Sequence, residues 1–211
     1  AAAFTYLATL SALYNGDGVV FSMWVEEALG GGGTGKLWHP RHLAYNFVGY
    51  CFSLFLTRAG VAARAIHMLQ LLDVVLAAAT VALFTWFCRR VGIGAIAAAG
   101  AGLAMAFSFG FWYSAVEPEV YALNTFAWML GLYMARAFAG PGHRLHWAAR
   151  SLPLGLAGVF LLSCHVMSGL MLLPLGWASL WWLREGGDDG RGLSASFVRG
   201  LAPASIMSAV A

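Results

Sequence analysis

The feature that most constrains this chain is a series of long, continuously apolar runs, the clearest at residues 65–88, 94–112 and 121–138. Each is long enough, at about 1.5 Å per residue, to cross a hydrocarbon layer about 30 Å thick. None alternates apolar and polar residues as the strands of a membrane barrel do, so the backbone must satisfy its hydrogen bonds within helices. The balance of residues agrees: 61% are hydrophobic and 10% charged, too little polar surface to cover a water-soluble globule of 211 residues. The expectation is therefore an all-α fold, a polytopic transmembrane helical bundle. Spans are expected near 1–13, 65–88, 94–112, 121–138, 152–164, 166–183 and 200–211, as the N-terminal part of one transmembrane domain. The chain opens and closes within apolar sequence, which suggests a piece of a longer protein.

The net charge of +3 does not point to nucleic acid, because the twelve Lys and Arg stand in ones and twos between apolar runs. That distribution carries topology. The stretch 41–56 is short and contains Arg41, His42, Asn46, Tyr50 and Ser53. Read as a helix lying along the outer interface within a loop spanning 14–64, it leaves eight cations inside: Arg89, Arg90, Arg136, Arg144, Arg150, Arg184, Arg191 and Arg199. Lys36, Arg41, Arg58 and Arg64 stay outside. On that topology Asp17, Glu117, Glu119 and His165 share the outer face. Cys51, Cys88 and Cys164 lie in apolar segments with no metal-binding or disulfide spacing.

Each candidate has a functional and a bland reading. Asp17, in Asn15-Gly16-Asp17-Gly18, opens a segment expected to be helical with Val20, Phe21, Trp24 and Ala28 on one face and Ser22 and Glu26 on another. It is either a reactive carboxylate or the helix N-cap. Glu117-Pro118-Glu119 follows Phe111-Trp112-Tyr113, so it is either helix initiation or a polar cavity at the interface. Lys36, His39 and Arg41 could meet a phosphate, or with Trp38 anchor the interface. A His39/His42 metal pair lacks a third ligand at matching spacing. Asp73 lies in the middle of a span, where an acid is by default a functional candidate, and a structural hydrogen bond to a neighbouring helix, with the acid protonated, is its favoured reading. His67 and Gln70 could serve as partners.

Taken together, three segments carry a resemblance. Gly16-Asp17 resembles the Gly-Asp-Ser-Gly start of the first loop in the GT-C superfamily of membrane glycosyltransferases, specifically its protein O-mannosyltransferase-like group. His39-Pro40 resembles that group's His-Pro-Pro-Gly-Tyr-Pro box. Glu119-Val120-Tyr121-Ala122-Leu123-Asn124 resembles its Glu-Val-Tyr-x-Leu-Asn segment, and residues 162–175 around His165 resemble a later Gly/His-containing turn.

The resemblance implies a GT-C-like fold in a multi-pass integral membrane protein, with the bacterial inner (cytoplasmic) membrane as its expected location. It implies a sugar moved, with inversion, from a polyprenyl-phosphate donor to a hydroxyl of a protein or glycan acceptor. Asp17, partly shielded from water, would be the general base. Glu117 and Glu119 would position the acceptor or a divalent cation, Mg or Mn, which some relatives use. Lys36, His39 and Arg41 would face the donor phosphate, and His165 and Asn124 would line the cavity. Membrane lipid and other membrane subunits would be the remaining partners. The His-Pro box continues here as Arg41-His42-Leu43, and the Gly30–Gly33 run lengthens the loop. These departures motivate a second reading, a GT-C-like scaffold subunit without catalysis. A third, a transporter, rests on Asp73 and the pair of helices split near His165.

Overall fold

A computed structural model describes residues 2–40, 42–139 and 147–165, with a few positions between 169 and 177. The described residues are all-helical: α1 (Ala2–Ala8), α2 (Gly16–Leu29), α3 (Leu43–Arg58), α4 (Ala65–Arg90), α5 (Ala95–Phe107), α6 (Phe109–Val116), α7 (Val120–Ala139) and α8 (Trp147–Cys164). Among them, α4 alone is long and apolar enough to cross a membrane as one helix. Helices α5 and α6 reach that length only together, as a pair bent by 62°. The span expected at 94–112 is thus broken. Ser108 takes an extended conformation, and its hydroxyl donates to the Met105 carbonyl at 2.9 Å, capping a group the break leaves open. The expected spans 121–138 and 152–164 are helical, as α7 and α8, but neither is among the described helices long and apolar enough to cross a membrane. That at 200–211, and nearly all of 166–183, lie outside the described residues.

Helix α4 is the axis. It ends where Gly92, at φ +90°, turns the chain in a conformation that glycine adopts without strain. Arg89 and Arg90 occupy its last turn, where cations suit the dipole, and the Arg90 guanidinium lies 4.8 Å from the centre of the Trp86 ring. Chain direction around α4 follows from its contacts. Val116 carbonyl accepts from Gln70, while Gly102 lies against Val81 and Thr85, so α5 and α6 run antiparallel to α4. Glu119 meets Asp73, while Trp86 packs on Tyr133 at 4.6 Å, so α7 runs parallel to it. His165 packs on Tyr121 at 6.0 Å, which brings the end of α8 back to the start of α7. Helix α1 runs beside α5 and α6, with the Tyr6 hydroxyl donating to the Ala106 carbonyl and the Trp112 indole to Thr9.

Within the 14–64 segment stand two helices, α2 and α3, packed along the N-terminal turns of α4. Gly18 touches Pro118, at the level of Asp73, and Glu26 accepts from the Ala65 N–H at the start of α4. Helix α3 begins with Tyr45 on Asp73 and then passes Leu69 at Gly49, running in the same direction as α2. Its buried stripe is Tyr45, Asn46, Gly49 and Ser53, whereas Phe47 and Phe55 point outward. A helix that turns Asn46 and Ser53 inward and Phe47 and Phe55 outward suits apolar surroundings. In α2 the buried face is Phe21, Ser22, Val25 and Ala28. It is thus rotated from the expected one, with Val20 exposed and Ser22 inside, its hydroxyl donating to the Val19 carbonyl.

Candidate functional site

The helix directions gather the 9–18 segment, the N-terminus of α3, the α6–α7 connection and His165 at one end of the bundle. Its first half is acidic. Asn15, not Asp17, caps α2: its side-chain oxygen accepts from the Gly18 N–H at 2.7 Å. The Asn15 amide also donates to the Glu119 carboxylate, tying the first loop to the second. Gly18 is required here by close approach, since a Cβ on it would lie 2.7 Å from the Pro118 carbonyl oxygen. Pro118 holds Glu117 in extended backbone, ending α6. Glu117 is buried and accepts from the Ser11 hydroxyl at 2.9 Å, leaving Oε2 with no partner. Gln70 closes the floor, its amide donating to the carbonyls of Ser11 and Val116 and its oxygen lying 3.3 Å from the His67 ring.

Asp17 stands exposed in the first turn of α2, with no hydrogen bond or ion pair among the described residues. The shielding expected of it falls on Glu119. Burial pushes the Glu119 carboxyl above its ordinary range, the charges of Asp17 and Glu117 push the same way, and the Asn15 hydrogen bond opposes them. Two of the expected site acids, on separate loops, therefore interact electrostatically at one place.

The second half is built from rings. His39 and His42 stack at 5.5 Å with 14° between their planes, and His42 meets His165 at 5.0 Å. Trp24 covers His39 at 5.7 Å, Phe21 meets His42 at 5.9 Å, and Tyr121 covers His165. Nitrogen lone pairs lie in the ring plane, so nearly parallel stacked imidazoles do not aim at a common ion. Among the described residues, no group of three His, Cys, Asp or Glu is arranged to hold a metal ion. The divalent cation that the resemblance leaves open thus finds no fitting ligand set among the described residues.

The other expected residues are placed as follows. Lys36 donates to both carboxylate oxygens of Glu27, at 2.9 and 2.7 Å, so its charge is already matched at an exposed position. Asn124 is half-buried one turn into α7. Arg41 lies outside the described residues. Sequence reasoning missed Ser11, Asn15 and Tyr45. The position of Asn15 just before Gly16 and the first apolar residues was a readable cap signal. Ser11 and Tyr45 carried none, because their partners are remote in sequence. Asp73 makes the interhelical hydrogen bond favoured for it, accepting from the Tyr45 hydroxyl at 2.8 Å. It also accepts from the Glu119 N–H at 3.0 Å.

No protein-family model, curated protein or solved structure matches this chain.

Proposed function

We propose that this chain belongs to a membrane-embedded glycosyltransferase of GT-C type. It would move a sugar from a polyprenyl-phosphate donor to the hydroxyl of a protein or glycan acceptor at the outer face of the membrane. The observation that carries the reading is the meeting of the Asp17 loop with the Glu117-Pro118-Glu119 loop, through the Asn15–Glu119 hydrogen bond and the Gly18–Pro118 contact. Exposed Phe4, Ile96, Leu103, Phe107 and Phe109 give the bundle an apolar exterior, as a multi-pass protein of the bacterial inner membrane would have.

In this mechanism the Asp17 carboxylate takes the proton of the acceptor hydroxyl as its oxygen forms a bond to the anomeric carbon. The bond from that carbon to the phosphate oxygen breaks, and the electron pair leaves with the lipid phosphate, giving inversion. Glu119, held by Asn15, orients the acceptor. The imidazoles of His39 and His165 donate hydrogen bonds toward the charge developing on the phosphate.

Replacing Asp17 with Asn tests the assignment. Transfer to an acceptor by the purified variant, assayed with a radiolabelled polyprenyl-phosphate sugar, is expected to fall by about 10²–10⁴-fold, with expression and melting unchanged. Native turnover by that variant would sink the catalytic role.

One observation favours the second reading, a GT-C-like scaffold subunit: Lys36, expected at the donor phosphate, is already paired with Glu27. For a scaffold, a stable complex with other membrane subunits should co-purify regardless of the residue at position 17.

A further inference from the structure

The two halves of the site end are joined at one buried side chain. Asp73 is 0% exposed on α4, and its Oδ2 accepts both the Tyr45 hydroxyl of α3 and the Glu119 N–H at the start of α7. Tyr45 packs edge-on against Phe21 at 5.5 Å, and Phe21 in turn packs on His42. The same Glu119 whose backbone is held by Asp73 reaches Asn15 with its side chain. The path from the histidine stack to the acidic loop thus runs His42, Phe21, Tyr45, Asp73, Glu119. Its last two links are hydrogen bonds to one buried carboxyl oxygen, more directional than stacking.

We infer that Asp73 is a positioning residue: it fixes the backbone of Glu119 and holds the acidic loop in register with the histidine-bearing end of α3. This role goes beyond the proposed transfer reaction and rests on that reading only for its catalytic consequence. A polar floor that merely stabilised the bundle would be served by any well-packed side chain of similar size. Positioning instead requires an acceptor atom at this point, so Asp73→Asn, which keeps a carbonyl oxygen, should substitute where Asp73→Val does not.

The test uses the full chain in detergent, with two readouts that need no turnover: hydrogen exchange of the Glu119 amide, and the pH midpoint for labelling of Glu119 by a hydrophobic carbodiimide, which reacts with the protonated carboxyl. In Asp73→Val, exchange is expected to rise by roughly tenfold or more, since the part-buried Glu119 N–H loses its acceptor. The labelling midpoint should also fall toward the ordinary carboxylate range as Glu119 gains water. In Asp73→Asn both should stay within about twofold of native behaviour. Tyr45→Phe, which removes one bond and no charge, should raise exchange severalfold and decides the matter if Asp73→Val does not fold. Native exchange and labelling in a folded Asp73→Val or in Tyr45→Phe overturns the inference, as does an Asp73→Asn that behaves like Asp73→Val. Failure of sugar transfer by the native chain, with both readouts responding as stated, would remove the transferase reading and leave the positioning role standing.

Discussion

The acidic and ring-built halves of the site end are specified by different forces. The acidic half is held by directional bonds: Asn15 to Glu119 and to Gly18, Ser11 to Glu117, Gln70 to two carbonyls, and a backbone contact at Gly18 too close for any Cβ. The other half is Trp24, His39, His42, His165 and Tyr121 in ring contact at 5.0–6.0 Å. Directional bonds fix a geometry and penalise any partner left unsatisfied. Stacking depends mainly on area and tolerates exchange of one ring for another. A site assembled this way holds Glu117 and Glu119 by directional bonds, while Asp17 beside them stays exposed.

The sharpest way to break that contrast is Asn15→Leu. It removes the cap of α2 and leaves a half-buried carboxylate without its donor, so the unfolding free energy should drop by about 2–4 kcal/mol in a denaturation series. A change under 1 kcal/mol would show the bonds to be incidental. Gly18→Ala comes next, at about 1–3 kcal/mol, because the colliding atom is a backbone oxygen that cannot swing aside. Gly16→Ala serves as its control: a Cβ there meets nothing within 4 Å.

A smaller effect concerns pH. The Glu119 carboxyl titrates above its ordinary 4.5 in the folded chain. Its contribution to stability is therefore fully present below about pH 4.5 and is lost as pH rises through the raised folded value. Melting followed from pH 4 upward should show a decline that Glu119→Gln flattens, the amide oxygen still accepting from Asn15. An equal slope in both proteins would show that Glu119 is not the group responsible. The smallest change is expected on the ring side, where His42→Phe keeps a flat ring between Phe21 and His165 and should alter stability by no more than about 1 kcal/mol. A larger loss would mean that this half too is held by a specific bond.

Much of the site's composition was legible beforehand. Asp17, Glu117, Glu119, His39 and His165 stand out because carboxylates and imidazoles are conspicuous beside apolar runs, and the charge pattern put their loops at one end. The hydrogen-bonded floor was not legible, since Gln70 with Ser11 and Tyr45 with Asp73 pair across 59 and 28 residues. Periodicity reports only neighbours three or four residues apart. It also misplaced the buried face of α2, where Ser22 goes inside because its hydroxyl is satisfied locally by the Val19 carbonyl.

By itself, then, the sequence determined a helical chain with strongly apolar runs, one of them α4, because continuous apolar segments without alternation leave the backbone no other way to satisfy its polar groups. Only the tertiary structure decided that α5 and α6 are bent at Ser108, that α2 and α3 pack along α4, and that Asp17 is exposed while Glu119 is shielded. Those outcomes turn on which remote donor meets which acceptor once the helices pack, and on how closely two backbones approach where, as at Gly18, no Cβ stands between them.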